Sequence, residues 1–443
     1  MSAETVITVD LAYGDSGKGT VVDVLVKKLE ATLVVRYNGG AQAAHCVVTP
    51  NGYTHIFRQF GSGSLISGVQ TLLSRHMLVD PVMLIAEQNR LSEYIDDPLT
   101  RVYIDERAAI VTPYHKALNR LRECARGNNP NGSCGMGIGE TANDLLLRPD
   151  EALRAKDLLL DERNLQHKLS ETRAALWRRT DGMRWPISAV TLEACDLFNF
   201  SEQKLAEHFK SVANTACIVD ASTVNFMLQT HTSVFEGAQG VLLDENYGFH
   251  PYTTWSTTTA KNALEILKEA GIAHKVTQVG ILRTFATRHG PGPFVTEAPE
   301  LQPLLPDPHN VKNQWQRDFR LGWLDLHALK YALEVNGPVD YLAVTHADKL
   351  SLKPRWNVCT EYAEPLKKPS NVNLIAQEEL TKRLLQMRYT HASVAHESLL
   401  TTIENELQTP LGIISCGPRS TDKDFTAEFK TQHKQELTNE PSI

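Results

Sequence analysis

The sequence predicts an α/β protein with a large, mostly parallel central sheet flanked by helices. Its opening has a strand–loop–helix–strand order: TVITVDLAY (5–13) is rich in β-forming residues, TVVDVLVKKLE (20–30) has helical spacing, and ATLVVRY (31–37) is again strand-like. Such a βαβ unit implies parallel strands joined by a right-handed crossover. Later strand-like and helical stretches alternate in the same manner, which is typical of one large α/β unit.

The later elements follow from composition and periodicity. Strand candidates are RVYID (101–105), SVFEGA (233–238), TQVGIL (277–282), YLAVTH (341–346) and LGIISC (411–416). Helical spacing marks NALEILKEAG (262–271) and LHALKYALEVNG (326–337), and both stretches end at a glycine, as helices often do.

The chain shows neither internal repeats nor a low-complexity linker, so we expect a single catalytic domain over residues 1–425. Residues 150–230 are mostly polar with helical spacing, which predicts a helical insertion within that domain. The last stretch, residues 426–443, is polar and is expected to form a fraying tail.

Composition narrows the class of function. The 443 residues are 42% hydrophobic and 22% charged with a net charge of -7, which argues against a general nucleic-acid-binding protein. The seven cysteines lack CxxC spacing, and neither a signal-peptide pattern nor a long apolar run occurs. We therefore expect a cytoplasmic protein without a membrane or nucleic-acid partner.

The first chemistry-bearing motif is the loop GDSGKGT (14–20), which follows a strand and opens a helix. Backbone amides at a helix N-terminus attract phosphate, and Lys18 is placed to reach phosphate oxygens. The loop does not match the common phosphate-loop rule, because Gly14 to Lys18 is too short and Gly19 follows the lysine. The alternative is a tight turn with a capping acid. Asp15 favours function, since an acid beside phosphates suits a Mg²⁺ ligand or a general base.

The second loop, RYNGGAQAAHCVV (36–48), has small residues that leave room for a ligand beside the backbone. Gln42 and His45 are its central functional side chains, and His45 is a candidate catalyst. The alternative for His45 is a structural histidine whose hydrogen bonds are satisfied within the fold.

Other glycine- and hydroxyl-rich stretches have similar character. The stretch GSCGMGIGET (132–141) offers backbone amides and the side chain of Cys134 to a ligand. Residues 235–260 contain amide and hydroxyl groups that suit a nucleotide base and a phosphate. The stretch RTFATRHGPGPFVTE (283–297) is a rigid loop that contains Arg288. Ordinary turns are the alternative for each. Asp348, after the strand at 341–346, could accept both donors of a guanine edge, although capping a helix is an equally ordinary role for such a residue.

Taken in order, these loops resemble the adenylosuccinate synthetase family. The matching segments are GDSGKGT, GGAQAAH, FEGAQG, HPYTTWSTTT, ATRHGPGPFVTE and RLGWLD, spread over about residues 6–420. The resemblance implies a P-loop-NTPase-like adenylosuccinate synthetase fold with helical insertions. It also implies a GTP-dependent ligase that joins L-aspartate to IMP through a 6-phosphoryl intermediate, with Mg²⁺ as cofactor, in AMP synthesis.

The family pattern assigns roles by position. Asp15, His45 and Lys18 are the implied catalytic residues, and Asp15 with the carbonyl of Ala44 the implied Mg²⁺ ligands. The implied contacts to an IMP-like nucleotide are Gln42, Cys134, Arg148, Gln239, Thr254 and Arg317. The implied triphosphate contacts are Gly14, Ser16, Gly17, Lys18, Gly19, Thr20, His346, Asp348, Ser415 and Gly417. Arg148 matches an arginine that reaches the neighbouring subunit's site, which implies a homodimer.

The chain departs from the family pattern at the site. Ser16 replaces glutamate, Gln42 asparagine, Ala44 glycine, Cys134 threonine, Met136 arginine and His346 lysine, and residues 309–320 lack two threonines expected to bind aspartate. Lys312, Asn313, Arg317 and Arg320 are the candidates to replace those threonines.

Three hypotheses follow from these departures. The chain is an adenylosuccinate synthase, a relative acting on dGMP or GMP with GTP or ATP, or a non-catalytic nucleotide sensor. Asp15 favours the first, because the phage relatives that use dGMP carry serine at that position. Ser16 and Cys134, both smaller than the family residues, favour the second.

Overall fold

The computed structural model of the protein describes residues 3–307, 310, 315 and 318–433. In these residues the strands are β1 (Thr5–Asp10), β2 (Leu33–Arg36), β3 (His45–Val48), β4 (Thr54–Phe57), β5 (Gln70–Leu73), β6 (Leu78–Val79), β7 (Val102–Asp105), β8 (Ala109–Ile110), β9 (Cys217–Val219), β10 (Ser233–Glu236), β11 (Val276–Arg283), β12 (Ala286–His289), β13 (Phe319–Gly322), β14 (Leu324–Asp325), β15 (Tyr341–Thr345), β16 (Arg355–Tyr362), β17 (Tyr389–Ala395), β18 (Leu411–Ser415) and β19 (Lys423–Phe425).

The helices in the same residues are α1 (Lys18–Leu29), α2 (Pro81–Leu91), α3 (Pro113–Ala125), α4 (Ile138–Leu147), α5 (Glu162–Arg178), α6 (Ala189–Phe198), α7 (Glu202–Thr215), α8 (Ala221–Thr230), α9 (Lys261–Glu269), α10 (Leu326–Asn336), α11 (Leu374–Leu384), α12 (Leu399–Leu407) and α13 (Ala427–Gln432).

One sheet of ten strands organises the fold, in the order β19-β18-β15-β11-β1-β10-β2-β5-β7-β9. Every pairing in it is parallel except β18 with β19. The predicted α/β class with a mostly parallel sheet is therefore confirmed. β1 lies inside the sheet between β10 and β11, so the loop that follows it opens at the centre of the carboxyl edge.

All six residues of β1 are buried, which explains its continuous apolar and β-branched sequence. Successive side chains point to opposite faces of the sheet. Val6 therefore packs with Val21 and Leu25 of α1, whereas Ile7 and Val9 join the larger core that α9 and α10 cover. This two-faced packing fixes the register of β1 and the place where its terminal Asp10 emerges.

The segment predicted as a helical insertion, residues 150–230, contains α5, α6, α7 and α8. The apolar side chains of α5, α6 and α7 build a separate core with α3, whereas those of α8 join the larger core. The segment also contributes β9, which extends the main sheet beside β7. A short strand of three residues gives little periodicity, so the sequence did not indicate it.

Part of the stretch predicted as a fraying tail, residues 426–443, is a helix in the structure. Residues Ala427–Gln432 form α13, and Phe429 is fully buried against Tyr341 and Phe425. One buried aromatic ring anchors this polar stretch, which composition alone does not reveal. Residues 434–443 lie outside the described residues.

None of the helices in the described ranges has the length and apolar character needed to cross a membrane. All seven cysteines are free thiols.

Candidate active site

The carboxyl ends of the central parallel strands bring together residues from distant parts of the chain. β1 ends at Asp10, β2 at Arg36, β10 at Glu236, β11 at Arg283 and β15 at Thr345. In open α/β sheets, ligands bind in the crevice outside this edge, near the point where the strand order reverses. The predicted loops 14–20 and 36–48 both start here, so we place the candidate site at this edge.

Asp10 anchors the opening loop. Its carboxylate accepts hydrogen bonds from the amide of Ala12 at 3.0 Å, the amide of Ser16 at 3.1 Å and the hydroxyl of Ser16 at 2.9 Å. It also pairs with the Nζ of Lys18 at 2.8 Å. Sequence reasoning missed Asp10, although an acid that ends a fully buried strand was a usable signal.

The side chains of Lys18 and Ser16 consequently point into the loop. Lys18 is only 4% exposed, and its ammonium group spends one of its three donors on Asp10. Ser16 is 1% exposed with both its donors on Asp10. The predicted phosphate contact of Lys18 rests on its remaining donors, whereas the hydroxyl of Ser16 shapes the loop.

Asp15 projects from this loop in a left-handed backbone conformation with φ of 58°. Non-glycine residues seldom adopt it unless their surroundings hold them there. Arg283 holds Asp15 in this conformation, since its Nε donates to the carbonyl oxygen of Asp15 at 2.5 Å. Thr345 holds the next residue by donating its hydroxyl to the carbonyl of Ser16 at 2.9 Å. The Asp15 side chain is 32% exposed and lies 3.3 Å from the Nε2 of His289.

Gly19 explains why the loop departs from the common phosphate-loop rule. A Cβ at this position would lie 2.8 Å from the carbonyl oxygen of Cys46 and 2.9 Å from the carbonyl carbon of His45. Only glycine therefore allows the first turn of α1 to pack this closely on β3. The close packing carries His45 to the loop that bears Asp15.

His45 is held by a buried carboxylate that the sequence analysis did not single out. Its Nδ1 lies 2.6 Å from Oε1 of Glu236, at the end of β10. Glu236 also accepts from the amide of Ser62 at 2.9 Å and from its hydroxyl. The signal was present in the sequence, because Glu236 belongs to the FEGAQG segment that carries the family resemblance.

Electrostatics fix the charge states of this pair. Burial alone would raise the pKa of Glu236, but Arg36 and His45 outweigh that effect and hold it at about 2. Burial lowers the pKa of His45, and Glu236 only partly opposes the shift. Since an ionised carboxylate can only accept, Nδ1 of His45 must carry the hydrogen. The Nε2 atom is the one left for a ligand.

Two predicted purine contacts, Gln42 and Gln239, meet at Gly39. A Cβ on Gly39 would lie 3.1 Å from Oε1 of Gln239 and 3.6 Å from Nε2 of Gln42. Both amide atoms of Gln42 and the Oε1 of Gln239 are buried without a hydrogen-bond partner in the described structure. Buried polar atoms are nearly always paired, so these three atoms mark a place where a polar ligand fits.

The remaining predicted purine contacts are spread around this centre. Thr254 is half-buried, and its backbone amide donates a hydrogen bond to the carbonyl oxygen of Leu243 at 2.9 Å. The loop of Cys134 packs towards the 283–297 segment, since a Cβ on Gly132 would lie 2.5 Å from Pro291. Burial raises the pKa of the Cys134 thiol. Arg317 falls outside the described residues, as do Lys312 and Asn313.

Arg148 lies at the C-terminal end of α4 and pairs with Asp144, Nη2 to Oδ2 at 2.7 Å. Asp144 also binds Arg179 at 2.5 Å. Within one chain, Arg148 is thus held by its own helix, and its predicted role in a neighbouring subunit's site stays a prediction.

Several of the residues predicted to bind the triphosphate lie near the N-terminal end of α1. Thr20 donates to the carbonyl of Pro418 at 2.8 Å, and a Cβ on Gly17 would touch the methyl of Thr345 at 3.2 Å. Ser415 and Lys423 both donate to the carbonyl of Gly417, at 3.2 and 2.6 Å. The helix N-terminus, β15 and the loop after β18 therefore border one space.

His346 and Asp348 flank that space. His346 has φ of 60°, and its Nδ1 is 2.9 Å from the hydroxyl of Thr345. Burial, with Arg283, Lys349 and Lys423 nearby, holds the pKa of His346 well below its usual value. Asp348 is exposed in part and pairs with Lys349 at 2.9 Å.

Arg288 has a structural place. It is buried, donates to the carbonyls of Pro291, Pro293 and Tyr252 at 3.2, 3.0 and 3.3 Å, and stacks 4.3 Å from the ring of Tyr13. This supports the alternative of a rigid structural turn for that arginine. The neighbouring His289 faces the site instead.

The donor set suits Mg²⁺ held largely by substrate and water. The described residues contain no cluster of three or more His, Cys, Asp or Glu side chains that could hold a metal ion alone. Asp15 offers a partly exposed carboxylate, and Ala44 is exposed in the loop before β3. Mg²⁺ typically takes one or two protein carboxylates and completes its shell with phosphates and water, so these oxygen donors fit.

Comparison with known proteins agrees with this arrangement. The profile of the family described as Adenylosuccinate synthetase matches residues 7–423. A relative named adenylosuccinate synthetase from Bdellovibrio bacteriovorus is 33% identical over 366 residues, covering 81% of this chain and 80% of the relative. One of that name from Chlorobium limicola is 30% identical, covering 93% of this chain and 95% of its own length.

Two solved structures share the fold. The fully ligated adenylosuccinate synthetase from Plasmodium falciparum matches with a TM-score of 0.77 and 22% identity, over 96% of this chain and all (100%) of the other. The succinoaminodeoxyadenylate synthetase of cyanophage S-2L, solved with dGMP and with dATP as energy donor, matches with a TM-score of 0.59 and 18% identity, over 98% of this chain and 100% of the other. Since the family profile and relatives at 30% identity or more span most of the chain, the chain belongs to the adenylosuccinate synthetase family, a family of ligases that form a carbon–nitrogen bond.

Proposed function

We propose that the chain is an adenylosuccinate synthase that joins L-aspartate to IMP at the expense of GTP, in the synthesis of AMP. The observation that carries the proposal is the meeting of two kinds of group at one sheet edge. Asp15 and His45, each held by partners in the chain, lie there together with the unpartnered amide of Gln42 and the unpartnered Oε1 atom of Gln239. The first pair supplies acid–base chemistry, and the second supplies a place for a purine nucleotide.

In the proposed reaction, Asp15 accepts the N1 proton of the hypoxanthine. The electron pair shifts to O6, which attacks the γ-phosphorus; the O6–P bond forms as the bond to GDP breaks. The amine of aspartate then attacks C6 and loses its proton, and phosphate leaves with O6. Phosphorylation turns a poor leaving group into a good one, which is why a triphosphate is required.

His45 would stabilise charge on O6 and the transferred phosphoryl group through Nε2. In the chain alone, burial lowers the pKa of His45 and leaves Nε2 without a hydrogen. The proposed role therefore requires Nε2 to take up a proton when the anionic nucleotides bind, and the ionised Glu236 at Nδ1 would offset the positive charge of the imidazolium. Lys18 would bind phosphate oxygens with the donors that Asp10 does not use. The ion pair with Asp10 thus holds the ammonium group of Lys18 beside the loop 14–20.

Mg²⁺ would be held by the carboxylate of Asp15 and the carbonyl of Ala44, and when bound it neutralises charge on the phosphoryl oxygens. Asp348, with Ser415 and Gly417, would bind the guanine of the donor. Asp348 pairs with the neighbouring Lys349, and its carboxylate stays partly exposed and within reach of a ligand.

A second candidate is a ligase acting on dGMP or GMP, with GTP or ATP as donor. Cys134 favours it, because it is smaller than the threonine of the family pattern and leaves more room beside the base. His346 favours a looser choice of donor, since a neutral imidazole stands where the family pattern has a lysine. Ser16 no longer separates the two candidates, because its side chain faces Asp10.

The test is a matrix of purified protein, aspartate and Mg²⁺ with IMP, GMP or dGMP against GTP or ATP, followed by phosphate release. Turnover with IMP and GTP supports the proposal. Turnover with dGMP but not IMP replaces it with the second candidate. If nucleotides bind but no combination of purine nucleotide and triphosphate gives turnover, both enzyme functions are overturned and the non-catalytic sensor is the remaining hypothesis.

The proposal includes a cytoplasmic homodimer in which Arg148 reaches the neighbouring site. Mixing Arg148→Ala with Asp15→Asn tests it by subunit complementation. In a mixed dimer, one site receives an intact arginine and an intact aspartate, so about a quarter of the wild-type activity should return. No recovery, or a monomer in sedimentation analysis, contradicts this part.

A further inference from the structure

Asp15 has a neighbour that the proposed reaction does not yet use. His289 ends β12, in the segment ATRHGPGPF, and its Nε2 lies 3.3 Å from Oδ2 of Asp15. In the family pattern Thr-Arg-x-Gly-x-Gly-Pro-Phe, this residue occupies the first open position. The family resemblance therefore assigned it no role, and sequence reasoning passed over it in favour of Arg288.

The hydrogen on Nε2 follows from the atoms around it. Nε2 also lies 3.1 Å from the amide oxygen of Asn310. That amide cannot be turned around, because its nitrogen donates to the carboxylate of Asp307 at 2.9 Å and a carboxylate only accepts. Two acceptor oxygens thus face one ring nitrogen, so Nε2 must carry the hydrogen.

The ring is held by packing as well as by polar contacts. It lies with its centre 4.7 Å from that of Phe319, at an angle of 49°. Its other nitrogen, Nδ1, is buried without a hydrogen-bond partner in the described structure. The single N–H of the ring is hydrogen-bonded to Asn310, and Oδ2 of Asp15 is the second oxygen near it, 3.3 Å from the same nitrogen.

These contacts belong to a closed series of side chains that begins and ends at Asp15. Asn310 binds Asp307 through its side chain and backbone amide. Asp307 lies 3.7 Å from Nη1 of Arg283, and Nε of Arg283 donates to the carbonyl of Asp15. At one end of this series Arg283 fixes the strained backbone of Asp15, and at the other end His289 contacts the carboxylate of Asp15.

We propose that His289 is a positioning residue: its Nε2–H fixes the Asp15 carboxylate through Oδ2 and turns Oδ1 towards the purine N1. The inference rests on the proposed function of Asp15 as the base. A carboxylate on a partly exposed loop samples several orientations, and each misoriented state lowers the fraction competent for proton transfer. An N–H on one oxygen removes that freedom without neutralising the charge.

Two substitutions separate the hydrogen bond from the packing. His289→Phe keeps a ring against Phe319 but removes the N–H, whereas His289→Gln keeps an N–H donor at similar reach and removes the ring. We expect His289→Phe to lower kcat by about 10- to 100-fold, the range seen when a partner that orients a functional ligand is lost. The KM values for both nucleotides should stay within about threefold, because the nucleotide contacts are untouched.

His289→Gln should recover most of the lost kcat. A matched control is His274→Phe: its Nε2 is 3.0 Å from the hydroxyl of Thr5, at the opposite end of β1. That variant should turn over like the wild type. Equal losses in His289→Phe and His289→Gln would show a packing role and overturn the proposal.

A second measurement does not depend on activity. Long-range ¹H–¹⁵N spectra of histidine-labelled protein, assigned with His289→Gln, report which ring nitrogen bears hydrogen. We expect hydrogen on Nε2; a bare Nε2 overturns the proposal. If the wild type turns over no purine nucleotide, the proposed function fails. If the wild type is active, Asp15→Asn is inactive and His289→Phe is fully active, the positioning role alone fails.

Discussion

The proposed catalytic centre and the proposed purine pocket both lie at the carboxyl edge of the sheet, but they differ in how their buried polar groups are paired. In the centre, Asp10 holds Lys18 and Glu236 holds His45, each at 2.8 Å or less. In the proposed pocket, both amide atoms of Gln42 and the Oε1 atom of Gln239 have no hydrogen-bond partner in the described structure. The fold therefore holds the proposed reacting groups in place through partners within the chain, and it leaves the proposed recognition groups unpaired.

The difference has energetic consequences. Removing one partner of a buried ion pair typically costs about 3–5 kcal/mol of stability, because the other charge is left unpaired. An unpartnered buried amide instead costs about 1–3 kcal/mol in the folded state, so its removal should not destabilise the protein. Substitutions in the two regions are thus expected to affect turnover, affinity and stability in different combinations.

The largest effect is expected from Asp15→Asn. The amide cannot accept the N1 proton, so turnover should fall by about 10³-fold, within the range for loss of a general base. Nucleotide binding, followed by calorimetry, should remain measurable, because Gln42 and Gln239 are untouched. Undiminished turnover would refute the assignment of Asp15 as the base.

Glu236→Gln should lower kcat by about 10²-fold, since His45 loses the partner that orients it. It should also lower the thermal midpoint, because the positive charge of Arg36, 4.0 Å away, loses its counter-ion. Steady-state kinetics and calorimetric melting measure the two effects. As a control, Ser62→Ala removes one hydroxyl donor to Glu236 and leaves its charge, so smaller changes should follow. A Glu236→Gln variant with wild-type kcat would show that the pair does not serve catalysis.

Gln42→Ala and Gln239→Ala should each raise the KM for the purine nucleotide by about tenfold, which corresponds to one lost hydrogen bond of about 1.4 kcal/mol. Their kcat values should change little. The thermal midpoint without ligand should stay the same or rise, in contrast to Glu236→Gln. If either variant melts well below the wild type, the pocket amides have a structural role, and the contrast between the two regions fails.

The smallest effect concerns pH. Because burial and three nearby cations lower the pKa of His346 far below 6.5, the ring should stay neutral across the neutral range. The KM for the triphosphate should therefore vary by less than about twofold between pH 6.5 and 8.5. Initial rates at saturating purine nucleotide measure it. A KM that falls as the pH is lowered would indicate a protonated imidazole attracting the phosphates.

Much of the fold could be read from local sequence. The buried strands β1, β2, β10, β11, β15 and β18 and the helices α1, α9 and α10 were all predicted within a few residues. Long apolar runs and glycine-ended helical repeats are local signals, which explains this agreement. The short β9 and the buried Phe429 of α13 were not indicated, since three residues or one aromatic ring carry too little pattern.

For the site, the sequence identified the candidate loops. The segments that hold Asp15, His45, Gln42 and Gln239 are recognisable by composition and by family resemblance, and the structure brings them to one edge. The individual contacts to nucleotide, donor and Mg²⁺ stay predictions.

Only the tertiary structure decided which way the side chains point. Lys18 and Ser16 face Asp10, Glu236 reaches His45 across 191 residues, and His289 meets Asp15. A buried polar group takes the partner that the packed strands place beside it, and that partner is set by sheet order. Residue type and spacing along the chain contain the list of candidate groups, but the pairing among them arises only when distant strand ends are brought together.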